Sequence, residues 1–194
     1  MSFDAAPAYA SRNKPAIASS QTRSGRSKRE AFSRSCEFGE RGIALEEQGK
    51  PAEAIEQFKL AIAAYPNYSV NYCNYGNALS DLKRYSEAIE QYKKAVQLQP
   101  DFAVAYCNMA DAMLKQKDYM GAELACKSAF RVDPGYVPAL TNLAEVYLNT
   151  NRAKEALTVL KKADGLSATS EMKKIIAADL RAANEMLNSA GELN

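Results

Sequence analysis

Small and apolar residues recur along most of this chain at spacings of three and four, the pattern of a helix with one buried face. Residues 69–100, SVNYCNYGNALSDLKRYSEAIEQYKKAVQLQP, show it best. With Ser69 as position 1, Tyr72, Tyr75, Gly76 and Leu79 occupy positions 4, 7, 8 and 11. Ala88, Tyr92, Ala95 and Pro100 occupy positions 20, 24, 27 and 32. The two stripes predict two helices, interrupted by a polar turn at Lys83-Arg84. Pro100 prevents the second helix from continuing.

The pattern repeats without insertion. Moved back by 34 residues it meets Phe38, Gly42, Leu45, Ala54, Phe58, Ala61 and Pro66. Moved forward it meets Tyr106, Met109, Ala110, Met113, Ala122, Ala129 and Pro134, then Leu140, Leu143, Ala144, Tyr147, Ala156, Leu160 and Ala163. Positions 20 and 27 are Ala every time, and position 8 is Gly, Gly, Ala, Ala. Helices that cross at short distance need small side chains at the contact, so that ridges enter grooves.

A 34-residue unit of this composition resembles the tetratricopeptide repeat (TPR). The resemblance implies an all-α helix–turn–helix solenoid, a right-handed superhelix in which each repeat touches its neighbours. Residues 35–68, 69–102, 103–136 and 137–170 form the four expected repeats. In repeat 1 the first helix is expected near Ser35–Gln48, with a Gly49-Lys50-Pro51 turn; Pro is tolerated in a first helical turn. Tyr68, Phe102 and Tyr136 at position 34 are expected as wedges between repeats. Repeat 4 lacks the position-32 proline, and its second helix is expected to end at Asp164-Gly165. Residues 171–194 read as a capping helix, because Met172, Ile176, Leu180, Ala183 and Leu187 make one apolar stripe opposite Lys173, Lys174, Arg181 and Glu185.

Charge separates the start of the chain from the rest. The net charge is +2, yet residues 1–34 carry five Arg and two Lys against Asp4 and Glu30. This segment is rich in Ser, Ala and Arg, and it is expected to be a disordered tail because it cannot bury enough apolar surface to offset its ordering entropy. Its cations Arg12, Lys14, Arg23, Arg26, Lys28 and Arg29 are candidate docking residues for an acidic protein surface, with nucleic acid or anionic lipid as weaker alternatives. No membrane span or secretory signal is expected. Four cysteines without a pairing pattern fit a reducing, cytoplasmic setting.

The inventory of chemistry is thin. The chain has no His, the commonest general base and metal ligand. It also lacks phosphate-loop, dinucleotide and nucleophile-elbow motifs. No enzyme, no metal and no cofactor are therefore expected. Cys126, at position 24, is expected in the core. Cys73 and Cys107 share position 5 of the first helix, on the side that lines the groove in the resembled family. Neighbouring first helices lie about 8–10 Å apart, beyond the reach of a disulfide.

The groove residues are then Asn74, Asn108 and Asn142 at position 6, Asn77, Asp111 and Glu145 at position 9, and Cys73 and Cys107. Stacked Asn resembles the asparagine ladder in the TPR arm of O-GlcNAc transferase, which holds extended peptide backbone; an amide offers both a donor and an acceptor. The Hsp70/Hsp90 carboxylate clamp uses Lys and Arg at positions 2, 5 and 6, where this chain has no cation. The expected function is a non-catalytic interaction module, a scaffold or assembly subunit that binds an extended peptide or partner surface. The alternative is a small TPR chaperone of secretion or complex assembly.

Overall fold

The structure, a computed structural model, describes residues 23–166 and 169–191. Every regular element among them is an α-helix. They are α1 (Arg23–Glu47), α2 (Pro51–Ala64), α3 (Ser69–Asp81), α4 (Tyr85–Leu98) and α5 (Ala103–Lys115). Then follow α6 (Tyr119–Val132), α7 (Val137–Asn149), α8 (Ala153–Asp164) and α9 (Ser170–Gly191). The first helices of repeats 2, 3 and 4 start at position 1, and every second helix starts at position 17. The chain divides into two compact units, Met1–Asn108 and Met109–Asn194.

Four turns of the same kind join the helices within repeats. Gly49, Lys83, Lys117 and Asn151, all at position 15, have φ of 71°, 59°, 62° and 57°. This left-handed conformation ends a helix and lets the next amide return to a carbonyl five residues back. The bonds are Lys50 N to Leu45 O (2.9 Å), Arg84 N to Leu79 O (2.9 Å), Asp118 N to Met113 O (2.9 Å) and Arg152 N to Tyr147 O (2.8 Å). Carbonyls that would be orphaned at the helix ends are satisfied within the turn.

In the first unit α1 packs on α2 and α3, α2 on α3, and α3 on α4. The small positions make this approach possible. A Cβ on Gly42 would stand 2.5 Å from the Phe58 ring, and one on Gly76 the same distance from the Tyr92 ring. Position 8 is thus Gly where position 24 is aromatic. In the second unit position 8 is Ala110 or Ala144, and position 24 is the smaller Cys126 or the non-aromatic Leu160. All eight alanines at positions 20 and 27 are completely buried. A buried polar pin joins repeats 1 and 2: Asn71 Nδ2 donates to Ser35 Oγ (2.7 Å), which donates to the Ala61 carbonyl (2.8 Å).

The first helix departs from expectation. It begins at Arg23, twelve residues before repeat 1, so residues 23–34 are helical rather than part of a disordered tail. Phe32 explains the difference. It is buried edge-on between Tyr65 and Tyr68, with ring centroids 5.3 and 5.2 Å away. Such edge-to-face pairs stabilise beyond the area they bury. No proline interrupts residues 23–34. The rest of the expected tail, residues 1–22, lies outside the described residues.

In the second unit α6 packs on α7, α7 on α8, and α9 on both α7 and α8. Gly165 follows α8. Thr169 Oγ1 accepts from Met172 N (3.3 Å) and caps α9. Met172, Ile176 and Ala183 are buried, whereas Leu180 and Leu187 are only half-buried. A side-chain cluster links repeats 3 and 4. The carboxylate of Glu123 accepts from Arg152 (2.7 Å), from Lys127 (2.7 Å) and, at 3.5 Å, from the Tyr147 hydroxyl. The Arg152 guanidinium lies 4.2 Å from the Tyr147 ring centroid. These cations hold the Glu123 carboxyl below its ordinary value, Arg152 most strongly.

Candidate functional site

In the first unit the candidate residues lie on α3 and on the start of α5. Asn74 and Asn77, three residues apart, share one face of α3. Asn77 Oδ1 accepts two hydrogen bonds, from the Tyr92 hydroxyl on α4 (2.9 Å) and from Asn108 Nδ2 on α5 (2.9 Å). Asn108 also bonds to the thiol of Cys73. The structure thereby brings Cys73, Asn77 and Asn108 into one network, with Tyr92 behind it.

Burial differs among these residues. Asn77 and Asn108 are half-buried. Asn74 is 2% exposed, and no hydrogen bond joins its amide to another described residue. Cys73 is fully buried, and burial, reinforced by Glu46, pushes its thiol up to about 12. It is an inert, protonated thiol at neutral pH. Cys107 is 1% exposed.

In the second unit α7 presents Asn142, which is buried, and Glu145, which is exposed. Asp111 on α5 is half-buried, and Lys115 stands 3.6 Å from its carboxylate. Both Asp111 and Glu145 act on the buried Cys126, whose thiol is pushed up to about 12, mainly by burial. Asp179 on α9 joins this group. Burial first, then the neighbouring Glu145 carboxylate, raise the Asp179 carboxyl above its ordinary value of 3.8. The second unit thus gathers carboxylates from three helices.

The candidate cations of the N-terminal segment fall in different places. Arg12 and Lys14 lie outside the described residues. Arg23 opens α1. Arg26, Lys28 and Arg29 are exposed on α1, and Arg26 pairs with Glu30 at 3.4 Å.

Sequence reasoning missed Tyr92 and Asp179. Tyr92 sits at a core position, so its ring was read and its hydroxyl was not. Asp179 lies between the buried Ile176 and Ala183, and nothing in its spacing marks the partner it meets. Among the described residues no group of three His, Cys, Asp or Glu side chains could hold a metal ion. No described helix is long and apolar enough to cross a membrane.

Three family models match parts of the chain. Two tetratricopeptide repeat models match residues 39–69 and 113–178, and a TPR repeat model matches residues 76–117. No curated protein sequence matches significantly. Solved structures do. The thermophilic TPR protein TTC0263 of Thermus thermophilus is 21% identical, with a TM-score of 0.66 over 81% of this chain and 90% of that one. MamA is 20% identical, with a TM-score of 0.64 over 81% and 94%. The second TPR domain of human RPAP3, solved with the HSP70 peptide SGPTIEEVD, is 21% identical, with a TM-score of 0.57 over 61% of this chain and 97% of that domain. At these identities the likeness is one of fold.

Proposed function

The chain belongs to the tetratricopeptide repeat family, and from that premise we propose that it is a non-catalytic protein-interaction module that holds an extended segment of a partner. The observation that carries this reading is the amide group of the first unit. Asn77 and Asn108, tied to each other at 2.9 Å, are half-buried residues, and Asn74 lies on the same face of α3 as Asn77. Amides pair with backbone N–H and C=O whatever the partner's side chains.

The peptide held by the RPAP3 domain ends in acidic residues. This chain has no cation at positions 2, 5 and 6 of any repeat. Its second unit instead gathers Asp111, Glu145 and Asp179, which favours neutral or basic segments over acidic tails. Charge complementarity of this kind selects partners and steers encounter more than it adds affinity.

The test uses a 12-residue peptide selected on the full chain from a random display library. The double variant Asn74→Ala/Asn108→Ala should keep its helical circular dichroism and bind this peptide at least about tenfold more weakly, the equivalent of one lost hydrogen bond in a desolvated site. Unchanged affinity in the folded variant would refute the reading.

A further inference from the structure

The bonds behind the amide pair determine which group each asparagine offers. Asn77 Oδ1 has two lone pairs, and both are engaged: one by the Tyr92 hydroxyl, one by Asn108 Nδ2. The NH2 of Asn77 is therefore the group left to act as a donor. Asn108 Nδ2 has two hydrogens. One goes to Asn77 Oδ1 and the other to the Cys73 sulfur, so its Oδ1 is the atom left as an acceptor. One donor and one acceptor stand side by side, each at a fixed place.

We propose that Tyr92 is the positioning residue that polarises this pair, and that the pair sets the direction of the bound chain. In an extended strand the N–H and C=O of one residue point to the same side, with the N–H nearer the strand's N-terminus. The ligand C=O meets Asn77 in repeat 2, and the ligand N–H meets Asn108 in repeat 3. The bound segment then runs from repeat 3 toward repeat 2 in its N-to-C direction. The class of ligand is an extended peptide with one residue free to offer both backbone groups. A proline at that residue is excluded, since it has no N–H.

Repeat 2 is singled out by this reasoning. Position 24 is Phe58, Cys126 and Leu160 in the other repeats; Phe and Leu have no donor, and the Cys126 thiol is a short, weak one. The Tyr92 hydroxyl is thus a local device and not a requirement of the repeat. Its ring is 1% exposed and fills the space beside Gly76, which a phenylalanine ring fills equally well beside Gly42.

The inference rests on the reading of the first unit as a peptide site, and the experiment separates the two. The selected 12-residue peptide is synthesised with a nitroxide at its N-terminus or at its C-terminus, and paramagnetic broadening is read on the full chain. With the wild-type protein the N-terminal label should broaden residues of repeat 3, and the C-terminal label residues of repeat 2. Tyr92→Phe should stay folded, bind about five- to tenfold more weakly, and lose the directional contrast as the Asn77 amide becomes free to turn. Asn77→Asp retains both acceptor bonds but removes the donor, and it should weaken binding by at least the same factor. If Asn74→Ala/Asn108→Ala loses the peptide while Tyr92→Phe binds as wild type with the same label contrast, the positioning role falls and the peptide site stands. A reversed contrast in the wild type overturns the assigned direction. If the double variant binds unchanged, the peptide site falls and this inference with it.

Discussion

The exchange between positions 8 and 24 can be tested as a pair. Gly42→Ala places a methyl group 2.5 Å from the Phe58 ring, inside the closest approach that carbon atoms tolerate. Phe58 is fully buried, so the ring cannot turn away into solvent. Overpacking of this kind costs about 1–3 kcal/mol. Against it stands the better helix propensity of Ala, about 1 kcal/mol over Gly. The net expectation for Gly42→Ala is a loss of about 0–2 kcal/mol. Phe58→Leu alone leaves unfilled space and should also destabilise. In the double variant Gly42→Ala/Phe58→Leu the methyl group occupies that space and the propensity gain survives, so the double should be more stable than Phe58→Leu alone. Melting followed by circular dichroism reads these differences at roughly 2–4 °C per kcal/mol for a chain of this size. Ala144→Gly, opposite Leu160, is the control: it should only destabilise, by about 1 kcal/mol. If the two substitutions at 42 and 58 add within about 0.5 kcal/mol, the two positions are not coupled and the steric account fails.

Two further outcomes follow from the turns and from the second unit. Lys83 and Lys117 hold φ near +60°, a conformation that costs a side-chain-bearing residue about 1–2 kcal/mol. Lys83→Gly and Lys117→Gly should each raise stability by about 0.5–1 kcal/mol once the greater freedom of Gly in the unfolded chain is subtracted, whereas Gly49→Ala should lower it; urea midpoints check both. Asp179 has a raised folded pKa, so the unfavourable cost of ionising it is absent below its unfolded value near 3.8 and grows as pH rises through the folded value. Asp179→Asn should therefore stabilise the chain at pH 7, by less than about 1 kcal/mol because the group is half-solvated, and the gain should vanish below about pH 4.

Helix boundaries were legible because they depend on local features. Pro51, Gly49, the position-8 small residues and the position-27 alanines each act through contacts within one repeat or with the next. The start of α1 was not legible from charge. Residues 26–30 are exposed and mostly charged, and the helix is anchored by a single aromatic, Phe32, which stands isolated in the sequence until Tyr65 and Tyr68 are brought to it by the fold. The asparagines of the candidate site could be named from their positions. Their orientation could not, since it depends on a hydroxyl from another helix and on which of two nearly equivalent amide atoms it meets. Asp179 escaped for the same reason: its partner Glu145 is thirty-four residues earlier in the sequence, and only the docking of α9 on α7 brings them together.

The Glu123 cluster has a consequence for cooperativity. In a stack of repeats each unit is marginal alone, and the sharpness of melting depends on how strongly neighbours are joined. Between repeats 3 and 4 that joint includes one carboxylate shared by a guanidinium of the next repeat and an ammonium of its own. Because these cations lower its folded pKa, the joint is intact above the ordinary glutamate range near 4.5 and weakens as pH falls through the lower, folded value. At neutral pH the two repeats are coupled into one block. In acid this ionic part of the joint is lost while the packing of α6 on α7 remains, so the melting transition of the second unit should broaden.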